Sequence, residues 1–118
     1  MKFVIAVTHG TDDPTQATLG MMAAKVARDQ GHDVTLWLQG EAAVIANRTV
    51  YEKIQGVNMP PMKMVLDALI ASGVTLWVCE ACAKGRGVGP DNFVDGAVYK
   101  GMGDYIGAVV LAERSLNF

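Results

Sequence analysis

A chain of 118 residues suits one domain around one core, and a single domain over residues 1–118 is expected. Hydrophobic residues make up 51% and charged residues only 19%, against about 45–50% and about 25% in an average globular chain, so part of the surface is expected to hide against other subunits. A formal net charge of −2 without a basic patch argues against nucleic-acid binding through phosphates, and no segment approaches the ~18 apolar residues of a membrane span.

The N-terminal apolar run Phe3 to Val7 is too short for a signal peptide and reads as the first strand. The cytoplasm is the expected location, and two free thiols fit a reducing compartment. Asp13-Pro14-Thr15-Gln16 is a helix start, with Asp13 at N-cap, Pro14 at N1 and Gln16 at N3. Leu19, Met22, Ala23, Val26 and Ala27 then follow helical spacing, and Gly31 ends the helix. Val34 to Leu38 is the second strand. A short helix over Glu41 to Ala46 and an irregular segment from Asn47 to Asn58 follow. Met62, Val65, Leu66, Leu69 and Ile70 mark the apolar face of a helix that begins near Pro60 and Pro61 and stops at Gly73.

Val74 to Val78 is the third strand, with a helical turn over Glu80 to Lys84 behind it. Ala97-Val98-Tyr99 fits a short fourth strand and Ser115 to Phe118 a last one. Between them, Tyr105, Ala108, Val109 and Ala112 have helical spacing, although Gly107 to Leu111 also fits a strand. Strands alternating with helices predict a mainly parallel five-stranded sheet covered on both faces. The three best strands carry no charge, as burial on both faces requires. Val34-Thr35-Leu36-Trp37 recurs as Val74-Thr75-Leu76-Trp77, each copy shortly after a helix-ending glycine, as similar helix–strand corners would select.

Both cysteines lie in Cys79-Glu80-Ala81-Cys82, where a buried strand gives way to a helical turn. The first N–H groups of a helix favour thiolate, the reactive form, so Cys79 is expected to be the more acidic thiol and the nucleophile. Cys82, one turn on, either resolves it or packs. Lys84 and Arg86 add positive charge nearby. A zinc site is not expected, because the two cysteines have only two histidines elsewhere to join them. A dithiol redox pair is the better match to the spacing, but it lacks an aromatic before Cys79 and an obvious cis-proline partner. His9 and Asp12, in the loop after the first strand, share the carboxyl edge of the sheet with Cys79. There His9 can meet a sulfur group or simply serve its own loop. That loop has too few glycines for a nucleotide fingerprint, Asp12 and Asp13 oppose an anion, and no cofactor is expected.

Thr8-His9-Gly10-Thr11-Asp12-Asp13-Pro14-Thr15, Gly31-His32-Asp33-Val34, Leu38-Gln39-Gly40-Glu41-Ala42, Val78-Cys79 leading into Arg86-Gly87, and Leu116-Asn117-Phe118 together resemble the DsrE/DsrF-like proteins over nearly the whole chain. The resemblance implies a three-layer flavodoxin-like α/β domain that assembles into homotrimers or homohexamers. It also implies a sulfur carrier that takes sulfane sulfur as a cysteine persulfide from a donor protein and passes it to an acceptor protein. The carrier cysteine of the family stands seven residues before the arginine of an Arg-Gly pair; Cys79 and Arg86 have that spacing. Cys82 falls where many sulfur-relay members have a small residue, which leaves room for a disulfide-forming variant. Three readings therefore stand: a sulfurtransferase-type carrier on Cys79, a non-catalytic oligomeric binding or assembly subunit, and a Cys79/Cys82 dithiol oxidoreductase.

Overall fold

The computed structural model describes residues 1–118. Strands β1 (Lys2–Val7), β2 (Asp33–Leu38), β3 (Thr75–Cys79), β4 (Ala97–Lys100) and β5 (Arg114–Asn117) form one sheet in the order β4-β3-β2-β1-β5. Every neighbouring pair is parallel. The helices are α1 (Pro14–Asp29), α2 (Met62–Ala71), α3 (Glu80–Lys84) and α4 (Met102–Leu111), with 3₁₀ turns at Gly40–Ala46 and Tyr51–Lys53. Helix α1 starts as its sequence predicts: Asp13 is the N-cap, and its carboxylate accepts from the Gln16 N–H at 3.1 Å. The segment Gly107 to Leu111 is helical and forms the second half of α4.

The strand order explains the layers. Parallel crossovers are right-handed, so the steps β1 to β2, β2 to β3 and β3 to β4, all running one way across the sheet, put their connections on one face. The step from β4 back to β5 runs the other way and puts α4 on the opposite face. On the first face, Ile5, Val7, Leu36, Leu38, Leu76 and Val78 join α1 and α2 in a single apolar core. Burying each such side chain contributes ~1.5–3 kcal/mol.

The second face is thinly covered. Val4, Ala6 and Trp37 are buried there, and the Trp37 ring stacks on Tyr105 of α4 at 4.9 Å. Yet α4 contains no buried residue, and every residue of β5 is exposed. Met102, Ile106, Val110 and Leu111 of α4 turn apolar side chains to solvent, with Val110 76% exposed. The repeated Thr-Leu-Trp segments lie side by side: Thr35, Leu36 and Trp37 pair in register with Thr75, Leu76 and Trp77. Each follows a helix ended by a glycine at positive φ, Gly31 or Gly73. No helix is long and apolar enough to cross a membrane.

Candidate functional site

The carboxyl ends of β1, β2 and β3 share one edge, where the sheet leaves its loops. Cys79 is the last residue of β3 and the N-cap of α3, and Cys82 sits one turn later on that helix. Both are free thiols and both are half-buried. Their surroundings differ. Cys82 packs against the apolar core, whereas Cys79 lines an open groove of about 560 Å³ between α3 and the start of α4. Lys84, Lys100, Gly101 and Met102 also line that groove. Lys100 is the in-register neighbour of Cys79 on β4.

The acidity of Cys79 departs from the expectation raised by its place at a helix start. The N–H groups of Cys82 and Ala81 favour thiolate, although the Cys79 side chain makes no cap hydrogen bond. Burial outweighs them, and hydrogen bonding with the neighbouring Cys82 thiol adds to burial, so the Cys79 pKa is raised. This direction does not support a depressed pKa as the reason for choosing Cys79. Access from the groove replaces it.

Arg86 ties the edge together. Its Nη1 donates to the Cys82 carbonyl at 3.1 Å, and its Nη2 meets Glu41 Oε1 at 2.5 Å. The guanidinium holds the Glu41 carboxyl below its ordinary range. Hydrogen bonding to Glu41 raises the Arg86 pKa, and the charges of Cys82 and Cys79 raise it further. Gly87 at φ +68 then turns the chain away, a conformation that favours glycine.

His9 and Asp12 form their own pair in the β1–α1 loop. His9 Nδ1 lies 2.8 Å from Asp12 Oδ2, and Asp12 Oδ1 accepts from the Gly10 N–H at 2.8 Å. Hydrogen bonding to Asp12 raises the His9 pKa, while the Gly10 N–H, then His9, lowers that of Asp12. No hydrogen bond joins His9 to either thiol. The structure thus brings Cys79, Cys82 and Arg86 together and leaves His9 and Asp12 as neighbours along the edge. Glu41 links the two groups, paired with Arg86 on one side and with its carbonyl packed against Gly10 of the His9–Asp12 loop on the other.

Two residues were not singled out by sequence reasoning. Glu41 stands 45 positions from its Arg86 partner, and Lys100 reaches Cys79 only through strand pairing. The local signals for Glu41 were its place just beyond β2 and within the Leu38-Gln39-Gly40-Glu41-Ala42 segment. Gly10 fixes the position of the Glu41 turn: a Cβ there would stand 2.4 Å from the Glu41 carbonyl oxygen and 2.8 Å from Val44. Nowhere do three or more His, Cys, Asp or Glu side chains gather so as to hold a metal ion.

The arrangement is an accessible thiol with a second thiol behind it and cations on either side. Among curated relatives, an uncharacterized protein of Methanocaldococcus jannaschii, MJ0989, is 24% identical over 118 residues, covering all of both chains. A second from that organism, MJ0760, is 25% identical over 95 residues, 80% of this chain; the match spans only 34% of that longer protein. The crystal structure of the ychN protein from E. coli superposes with a TM-score of 0.81 at 21% identity, with complete coverage of both chains. MTH1491 of Methanobacterium thermoautotrophicum, a protein of unknown function, gives 0.76 at 12% identity, covering 99% of this chain and 98% of that one. These similarities carry the fold. The model of the DsrE/DsrF-like family matches residues 1–118, the whole chain. With strand order, edge loops and cysteine turn all in view, this chain belongs to the DsrE/DsrF-like family.

Proposed function

We propose that this protein is a sulfur carrier of the sulfurtransferase type, with Cys79 as the carrying residue. Membership in a family associated with sulfur relay supports the class of chemistry. The observation that carries the residue assignment is access: Cys79 opens to the groove, and Cys82 packs inward.

Loading is a thiol–persulfide exchange. The Cys79 thiolate attacks the outer, sulfane sulfur of a donor persulfide. A sulfur–sulfur bond forms at Cys79, the donor's sulfur–sulfur bond breaks, and the donor leaves as thiolate. Passing the sulfur to an acceptor thiol repeats the exchange in the other direction. Neither step needs an external oxidant or reductant. Burial raises the Cys79 pKa, and Cys79 reacts as thiolate once its proton is lost to base. A thiolate of higher pKa is also intrinsically the stronger nucleophile. Lys84, Lys100 and Arg86 place positive charge around the site where anionic sulfur develops.

The donor and acceptor are proteins in this reading, and the carrier works as a homotrimer or homohexamer. The apolar stripe on α4 and the bare edge strand β5 support burial of the second sheet face between copies. Incubation with a cysteine desulfurase and isotopically labelled cysteine tests the function. Label is expected on the wild-type chain and, after removal of the donor, on an added acceptor protein with a reactive thiol. A chain that never acquires label leaves the non-catalytic assembly reading in its place.

A further inference from the structure

Two thiols one helical turn apart at the sulfur-receiving position raise the question of what the second does once the first is loaded. Cys79 and Cys82 occupy the N-cap and third positions of one helical turn. Side chains three apart on a turn are neighbours, and Cys-x-x-Cys opening a helix is the spacing of thioredoxin-like dithiol pairs. The neighbouring Cys82 thiol is among the causes that raise the Cys79 pKa. Cys82 is packed on the core side, away from the groove by which a donor reaches Cys79. It is placed to attack a loaded Cys79 and poorly placed to receive sulfur itself. Arg86 holds the turn through the Cys82 carbonyl and brings its charge to both sulfurs.

We propose that Cys82 is a resolving thiol that discharges the persulfide of Cys79 as hydrogen sulfide when no acceptor takes it, leaving a Cys79–Cys82 disulfide. This rests on the loading of Cys79 argued above. The Cys82 thiol gives up its proton and attacks the inner sulfur, Cys79 Sγ. The bond between Cys79 Sγ and the outer sulfur breaks. The outer sulfur leaves with the bonding pair and, on taking the proton, is released as H₂S. The sulfane sulfur is reduced, the two cysteine sulfurs are oxidised, and nothing else is consumed. The disulfide then blocks reloading until a dithiol reductant reopens it. The carrier is thereby limited to one discharge per reduction, and its competence follows the thiol–disulfide balance around it.

Wild-type protein, Cys82→Ser and Cys82→Ala are each reduced, loaded with a cysteine desulfurase and cysteine, freed of donor, and followed by intact mass and sulfide release. In both variants the mass of one added sulfur is expected to persist. In the wild type it should decay while one equivalent of sulfide appears and the chain loses two hydrogens to a disulfide. Wild-type protein that holds its added sulfur as long as the variants overturns the discharge and leaves carriage by Cys79 intact. Variants that fold but take up no sulfur overturn carriage, and the discharge with it. A disulfide that forms equally fast in wild-type protein never given a donor overturns the discharge in favour of a plain dithiol redox pair. Far-ultraviolet circular dichroism identifies a variant that has not folded, and the wild-type time course needs no variant at all.

Discussion

Cys79 and Lys100 stand in register on the parallel strands β3 and β4. In-register neighbours send their side chains to the same face, so the thiol and the lysine stem leave the sheet together toward the groove. The Lys100 Nζ lies 5.2 Å from the centre of the Trp77 ring, which gives it a cation–π rest position beside the site.

Lys100→Gln should therefore slow loading of Cys79 severalfold, and Lys84→Gln should slow it less, because Lys84 is already paired with Glu80 at 2.8 Å. The wild-type rate should fall with added salt and the Lys100→Gln rate should depend on salt less. Stopped-flow loading at several ionic strengths measures both. Equal rates and equal salt slopes would remove Lys100 from the site.

The pH dependence of Cys79 follows from the sign of its shift. Its thiol is favoured over thiolate in the folded chain, so its alkylation should reach half-maximal rate above the pH of an ordinary cysteine. In Cys82→Ala the raising contribution of the neighbouring thiol is lost, so the midpoint should move down. The linkage runs the same way: a folded-state pKa raised above the unfolded one leaves stability intact below the unfolded value and lowers it as pH climbs toward the folded value. Rates of alkylation across pH for the wild type and Cys82→Ala check the shift.

Arg86 bridges α3 and the turn after β2 on the exposed surface, so its removal should change global stability little. Its local effect should be larger. Arg86→Ala frees the Cys82 carbonyl and the Glu41 carboxylate together, and hydrogen exchange over Ala81 to Gly85 should quicken. Loading should slow severalfold. Arg86→Lys should restore charge but not the double contact, since ammonium lacks the planar fork. Exchange followed by mass spectrometry separates the two variants; identical protection in all three proteins would deny Arg86 its positioning role.

Much of the fold is legible in the sequence because its signals are local. Asp13 and Pro14 announce α1, helical spacing from Met62 to Ile70 announces α2, and charge-free runs announce β1 to β3. The helix-or-strand ambiguity of Gly107 to Leu111 came from residues apolar on nearly every side. It is resolved non-locally, by the crossover from β4 to β5 and by Tyr105 stacking on Trp37. The site is legible in part for the same reason. The Cys79–Cys82 turn is contiguous, whereas Lys100 beside Cys79 and Glu41 beside Arg86 depend on strand register and on the packing of a turn. The helix start that favours a Cys79 thiolate is visible in sequence, whereas the burial that opposes it is not.

The exposed stripe of α4 makes a separate prediction. Ile106 is 53% exposed and Val110 76% exposed on a helix that covers a sheet face with no buried residue of its own. If copies of the chain cover this surface, the wild type should have the mass of a trimer or hexamer at micromolar concentration, and Ile106→Asp with Val110→Asp should reduce it toward a single folded chain. Light scattering coupled to size exclusion reads both. A wild-type mass of one chain would contradict the assembly.

The central claim is that sulfur travels on Cys79, and site mapping after loading tests it most directly. Protein loaded by a cysteine desulfurase with cysteine is alkylated at once, digested, and its two cysteines are located by fragment masses. The added sulfur should sit on Cys79 in the wild type and in Cys82→Ser, and no sulfur should be added in Cys79→Ser with its fold intact. Added sulfur found on Cys82 instead, or on Cys79→Ser at the wild-type level, would contradict the account.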